Sequence, residues 1–179
     1  MRIFRILATS LTLLLCQSSL IFSKDITPLQ LLFTVKQTFP DCQRLSILIS
    51  KELLAKEQKN IARASAQTQI KATIYVVNST SDIGSALRKI KKGSVMILFG
   101  SGVLSESKSR LYFLSKCKPK KIAIVTSSND YAQSGALLSV VWDENQKLKT
   151  VLNLKHNEHL RSKFTPDFIQ TVGIKEVIE

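Results

Sequence analysis

Four short apolar runs, RLSILIS (44–50), KATIYVV (71–77), SVMILFG (94–100) and KIAIVTSS (121–128), recur along the chain, and helix-forming segments separate each from the next. Runs of this length, rich in β-branched residues, fit strands covered on both faces. Strand, helix and strand in repeated alternation predict a parallel sheet with right-handed crossovers and helices on both sides. The segment 51–69 carries Leu53, Leu54, Ile61 and Ala62 near helical spacing. The segment 79–93 places Ile83, Leu87 and Ile90 on one face, with Ser81 or Asp82 as cap and Gly93 past its end. SESKSRLYFLSKCKP (105–119) is a third connecting helix. Before the first strand, Thr27 and Pro28 open a helix as N-cap and first residue, and Pro40 stops it.

The end of the chain departs from this alternation. GALLSVV (135–141) and LKTVLNL (148–154) are apolar runs joined by WDENQK, whose Asp143, Glu144 and Asn145 suit a turn, so a hairpin is expected there. KHNEHLRSKF then reads as a short helix or turn, and Thr165 with Pro166 opens a closing helix. The fold class expected is α/β: a Rossmann-like, doubly wound, mainly parallel sheet of about four parallel strands with a C-terminal β-hairpin and short closing helices.

Residues 1–23 read as a secretory signal peptide. Arg2 and Arg5 form the positive start, ILATSLTLLLC is an apolar core too short to span a bilayer, and small residues precede Lys24. An uncleaved anchor helix is the alternative. A lipoprotein would need a small residue before Cys16, where Leu15 stands. Cleavage leaves residues 24–179, which are 156 residues, enough for a single lobe and too few for two lobes of ordinary size. That part holds 24 Lys and Arg against 13 Asp and Glu, a net charge of +11. The basic residues are spread instead of clustered, so solvated faces near an anionic envelope are expected, and no nucleic acid partner. Cys42 and Cys117 both precede strands, at one edge of the sheet. One disulfide or two buried free thiols are both open.

Catalysis is not indicated. Ser101 in FGSGV is not in a G-x-S-x-G elbow, GSG is too short for a dinucleotide fingerprint, and no cofactor is expected. His156 and His159 at i and i+3 lack a third ligand, so no metal is expected. Binding fits better, because open parallel sheets gather ligands at the carboxyl ends of their strands. The residues there are Ser50 and Lys51 after the first strand, Asn78 and Ser79 after the second, Gly100 and Ser101 after the third, and Ser127, Ser128, Asn129 and Tyr131 after the fourth. Their hydroxyl and amide groups suit a small polar solute or an acidic peptide. Asp82 and Asn153 read as structural caps.

The order of the segments LLFTVKQTFPDCQRLSILIS, SDIGSALRKIKKGSVMILFGSGVLS, KPKKIAIVTSSNDYAQSGALLSV and VLNLKHNEHLRSKFTPDFIQTVGIKEVIE resembles one lobe of the ABC-transporter substrate-binding proteins related to the periplasmic tryptophan/tyrosine-type binding proteins. The likeness rests on an Asp-led helix with a Ser-Ala-Leu core, Tyr131-x-x-x-Gly135-Ala136-Leu137, Asn153-Leu154-Lys155 and the Thr165-Pro166 helix. It implies an extracytoplasmic, periplasmic, non-catalytic solute-binding or sensory component. That family encloses its ligand between two lobes and places Asn-Ser after the first strand, where this chain has SKELLAKE. The hairpin ending is similar to the YfiR-like periplasmic regulators, which implies contact with a membrane-anchored signalling protein, although the aromatic N-terminal motif of that family is missing. A lone lobe would leave its strand-end face open. Ser101, Ser128, Asn129 and Tyr131, with Tyr131 as anchor, are expected to meet a membrane-bound partner or a second copy in a homodimer.

Overall fold

A computed structural model describes residues 25–179, so the proposed signal segment lies outside the described residues. The four apolar runs become β1 (Arg44–Ile49), β2 (Lys71–Val76), β3 (Val95–Leu98) and β4 (Ala123–Thr126). They are followed by β5 (Leu138–Trp142), β6 (Leu148–Asn153) and β7 (Glu176–Ile178). All seven form one sheet in the order β2-β1-β3-β4-β5-β6-β7. The doubly wound, mainly parallel α/β sheet expected from the sequence is therefore present, with two additions. β5 pairs parallel to β4, so five strands run parallel, and β6 turns back on β5 as the expected hairpin. β7 then lies parallel to β6 at the edge. It escapes sequence reading because three residues are too few to show a period.

The helices are α1 (Pro28–Thr38), α2 (Lys51–Thr68), α3 (Thr80–Lys89), α4 (Ser107–Cys117), α5 (Asn129–Ser134) and α6 (Pro166–Thr171). Thr27 caps α1 through a reciprocal pair with Gln30, and Thr165 caps α6 by accepting from the Phe168 N–H. The cap of α3 is Ser79, two residues before the expected start. Asp82 reaches back to close that capping box, its Oδ2 accepting from the Asn78 and Ser79 N–H groups at 3.0 Å each. These donated bonds, the Asn78 N–H first, hold the Asp82 carboxyl below its ordinary range.

The sheet separates two cores. Leu45, Ile47 and Ile49 of β1 face α1 and α2, together with Ile97, Val125 and Leu138. Leu48, Met96, Leu98 and Ile124 face the side covered by α3, α4 and α5. Burial on both faces is why β1, β3 and β4 read as continuous apolar runs. At the edge, β2 alternates between exposed and half-buried positions for most of its length.

Cys42 and Cys117 are both free thiols, so the disulfide does not form. They share the expected sheet edge but pack on opposite faces, Cys42 against the α1 and α2 core and Cys117 against the α3 and α4 core. Burial pushes the Cys117 thiol up to about 12 and raises Cys42 as well. Among the described residues, no helix is long and apolar enough to cross a membrane.

Candidate functional site

The strand order reverses its direction of growth between β1 and β3, and the loops leaving these strands part to opposite faces of the sheet. β1 runs directly into α2, whereas β3 runs into a 3-10 turn at Gly102–Ser105 and then α4. Ser50 and Ser101 stand at this fork with their hydroxyl oxygens 2.9 Å apart. Glycine is required where β3 leaves. A Cβ on Gly100 would sit 3.0 Å from the Ser128 Cβ, and Gly102, at a φ of +56°, would bring one within 3.2 Å of the Ser50 Cβ.

Beside this fork, at the carboxyl ends of the parallel strands, lies a cavity of about 340 Å³. Its strand-end wall is made by Phe99, Gly100, Ser101 and Ser127. Leu53 and Glu57, one turn apart on α2, form a second wall, and Glu57 Oε2 accepts from the Asn60 side chain at 2.9 Å. Asp25 and Ile26 enter from the segment before α1, and Trp142 closes the side at the end of β5.

Of the residues expected at the site, Gly100, Ser101 and Ser127 line this cavity. Ser50 is buried behind them as the N-cap of α2, its hydroxyl accepting from the Leu53 N–H at 3.3 Å. Lys51 is exposed, and its backbone N–H donates to Asn78 Oδ1 at 3.3 Å. Ser128 sits under Gly100, its N–H donating to Thr126 Oγ1 at 3.1 Å, and exposed Asn129 begins α5.

Tyr131 is the clear correction. The segment after the fourth strand, expected to lie on an open strand-end face, is α5, and its third residue is 0% exposed. Its hydroxyl donates to the Leu104 carbonyl at 2.8 Å, and its ring meets Phe113 edge to face at 5.9 Å between centroids. Arg110, paired with Asp130 at 2.7 Å, lies over the ring at 5.9 Å. Burial raises the Tyr131 phenol above its ordinary range. Tyr131 is a core strut and cannot anchor a partner from the surface.

Sequence reading missed Trp142, Glu57 and Phe99 as cavity residues. Trp142 carried a usable signal, since the chain's single Trp stands at the end of an apolar run. The sequence predicts an appended hairpin for that run, and its parallel pairing with β4 brings Trp142 to the carboxyl edge of the parallel strands.

A larger cavity, about 500 Å³, lies at the opposite edge, where β4 begins. Leu111, Leu114, Lys118, Lys121, His156 and His159 contribute to it. The two histidines thus share a cavity, but among the described residues no group of three His, Cys, Asp or Glu could hold a metal ion.

No protein-family model matches the sequence, and no curated protein matches it. Solved structures do match its fold. A conserved domain protein from Vibrio cholerae superposes with a TM-score of 0.69 at 14% identity, over 86% of this chain and 61% of its own. An ABC domain from Streptococcus pneumonia in complex with L-Trp gives 0.66 at 16% identity, over 84% and 62%. A substrate binding protein with adhesive properties from Clostridium difficile, in a ligand-free open structure, gives 0.62 at 8% identity, over 86% and 60%. The chain therefore spans about three-fifths of the length of each of these structures. At these identities the likeness is one of fold alone.

Proposed function

We propose that this protein is an extracytoplasmic, non-catalytic solute-binding or sensory component, and that the solute sits in the strand-end cavity. The observation that carries this reading is the cavity itself: about 340 Å³ at the carboxyl edge of a parallel sheet, beside the reversal in strand order. Support comes from the fold shared with an L-Trp-bound ABC domain and a substrate binding protein. Serine hydroxyls at the strand ends supply polar contacts, while Phe99, Leu53 and Trp142 supply apolar area.

A thermal-shift screen with amino acids and small metabolites tests the reading. A bound solute at a hundred times its dissociation constant stabilises the native state by about 2.7 kcal/mol, a shift of several degrees for a domain of this size. If no solute moves the midpoint and the protein instead captures a membrane-bound signalling protein, the rival regulatory reading replaces this one. In either case the surface that covers the cavity mouth, from a second copy or a membrane-bound protein, would meet Ser101 and Asn129, not Tyr131.

Export is part of the proposal. Arg2, Arg5 and the short apolar core motivate it, and the intact mass of protein taken from its native envelope is expected to fit a chain beginning near Lys24. A full-length mass would instead favour an anchor.

A further inference from the structure

We propose that β2, the open edge of the sheet, joins the β2 of a second copy of this chain across a two-fold axis, so that two seven-stranded sheets become one. The inference is independent of the solute-binding reading, because it concerns the flank of α2 turned away from the cavity. The first observation is an edge without the usual defences. β2 pairs with β1 on one side and, among the described residues, with no strand on the other. Its residues match those of β1 one for one without a bulge, none is proline, and the single charge, Lys71, stands at its start. Edge strands are ordinarily shielded by internal charges, prolines, bulges or a covering element, since their free N–H and C=O groups template further pairing.

The second observation is that this edge complements itself. The Lys71 and Val77 N–H groups donate to the Gln43 and Ile49 carbonyls, so by the alternation of a parallel pair Ala72, Ile74 and Val76 turn their N–H and C=O groups outward. Antiparallel pairing centred on Ile74 sets Ile74 against Ile74 of the second copy, Ala72 against Val76 and Thr73 against Tyr75. The outward residues then exchange about six backbone hydrogen bonds. Half-buried Ala72 and Ile74, with Val76 at 39% exposure, form one apolar row that meets its equal across the axis. The two copies of Lys71 fall at opposite ends of the paired strands, about 20 Å apart, where salt screens their repulsion.

The third observation favours a second copy over a lone peptide strand. α2 returns the chain from β1 to β2, and its Leu53 and Glu57 face the cavity, on the β3 side of β1. After Lys51 at its start, the flank turned the other way, past β2, carries Ala55, Gln58, Ala62 and Ser65, while the charges of Glu52, Lys56, Lys59 and Arg63 occupy the outer surface. Two-fold pairing of β2 places the α2 helices of the two copies side by side, two strand spacings apart. That is about 10 Å, a distance at which helices pack. The small uncharged flanks fill this contact, and a peptide strand would leave them bare.

Sedimentation velocity of the purified protein over a dilution series provides the test. A dimer is expected to predominate at about 100 µM and to dissociate near 1 µM. Val76→Lys and Ala62→Arg, both at exposed positions, are each expected to weaken the dimer by about tenfold or more, with the thermal midpoint of the dilute protein within a degree or two of the parent. Exchange of the Ala72, Ile74 and Val76 amides, followed by mass spectrometry in peptides spanning 71–77, is expected to slow by about fivefold between the dilute and the concentrated parent. A monomer at about 100 µM overturns the inference and leaves the edge to a foreign strand or to water. A dimer undiminished in either variant overturns it as well, and so does a dimer in which those three amides exchange as freely as in the monomer, because the contact then lies elsewhere.

Discussion

Tyr131→Ala is expected to lower the free energy of unfolding by about 4 kcal/mol, within the range for truncating a large buried aromatic side chain. The ring is fully buried against Phe113, and its hydroxyl satisfies the Leu104 carbonyl where the chain leaves β3. Alanine would leave a void between α4 and α5 and strand that carbonyl without its donor. Tyr131→Phe separates the two effects, since it keeps the packing and loses only the hydrogen bond, at about 1 kcal/mol. Urea unfolding followed by circular dichroism measures both. A loss below about 1 kcal/mol for the alanine variant would show that the ring is dispensable to the core.

Asn153→Ala is expected to cost about 2–3 kcal/mol, a large effect for a short side chain, because two backbone groups lose their partners at once. Asn153 is buried at the end of β6; its Nδ2 donates to the Ala132 carbonyl at 2.9 Å, and its Oδ1 accepts from the His156 N–H at 3.2 Å. Asn157 continues the stitch, donating to the carbonyls of Asn153 at 2.9 Å and Gly135 at 3.2 Å. Asn153→Asp is expected to be at least as damaging, since it keeps the acceptor for His156 but faces a carboxylate oxygen against the Ala132 carbonyl. Denaturation midpoints decide the matter, and an aspartate variant as stable as the parent would mean that the donated bond carries no weight.

The two asparagines show which parts of this fold sequence could reveal. Asn153 was readable as a structural residue because it closes an apolar run, whereas its actual partner, on α5 twenty-one residues earlier, leaves no trace in local pattern. The strands β1 to β4 were legible because burial on both faces demands unbroken apolar runs, and the caps at Thr27 and Thr165 because they sit beside Pro28 and Pro166. α5 was not: six residues in a polar context, with no side-chain cap bond at Ser128, look like a loop. Without that helix in view, Tyr131 reads as an anchor on an open strand-end face, whereas it is 0% exposed in the core.

The cavity was legible only in part for a different reason. Gly100, Ser101 and Ser127 follow strands that the sequence marks plainly. Asp25, Glu57 and Trp142 reach the same place from the segment before α1, from the second turn of a helix and from a strand assigned to a hairpin. Their meeting is a product of strand order, and no spacing along the chain encodes it.

The antiparallel return of β6 and β7 also sets the polarity of the molecule. Asp25 lies in the rim of the cavity, whereas Ile178 pairs with Asn153 beside the Leu137 carbonyl, at the edge where the parallel strands begin. An anchor retained ahead of Asp25, the alternative to cleavage, would therefore hold the cavity mouth toward the membrane. A label attached at Glu179 would report from the far side, with the full length of the sheet between it and any occupant.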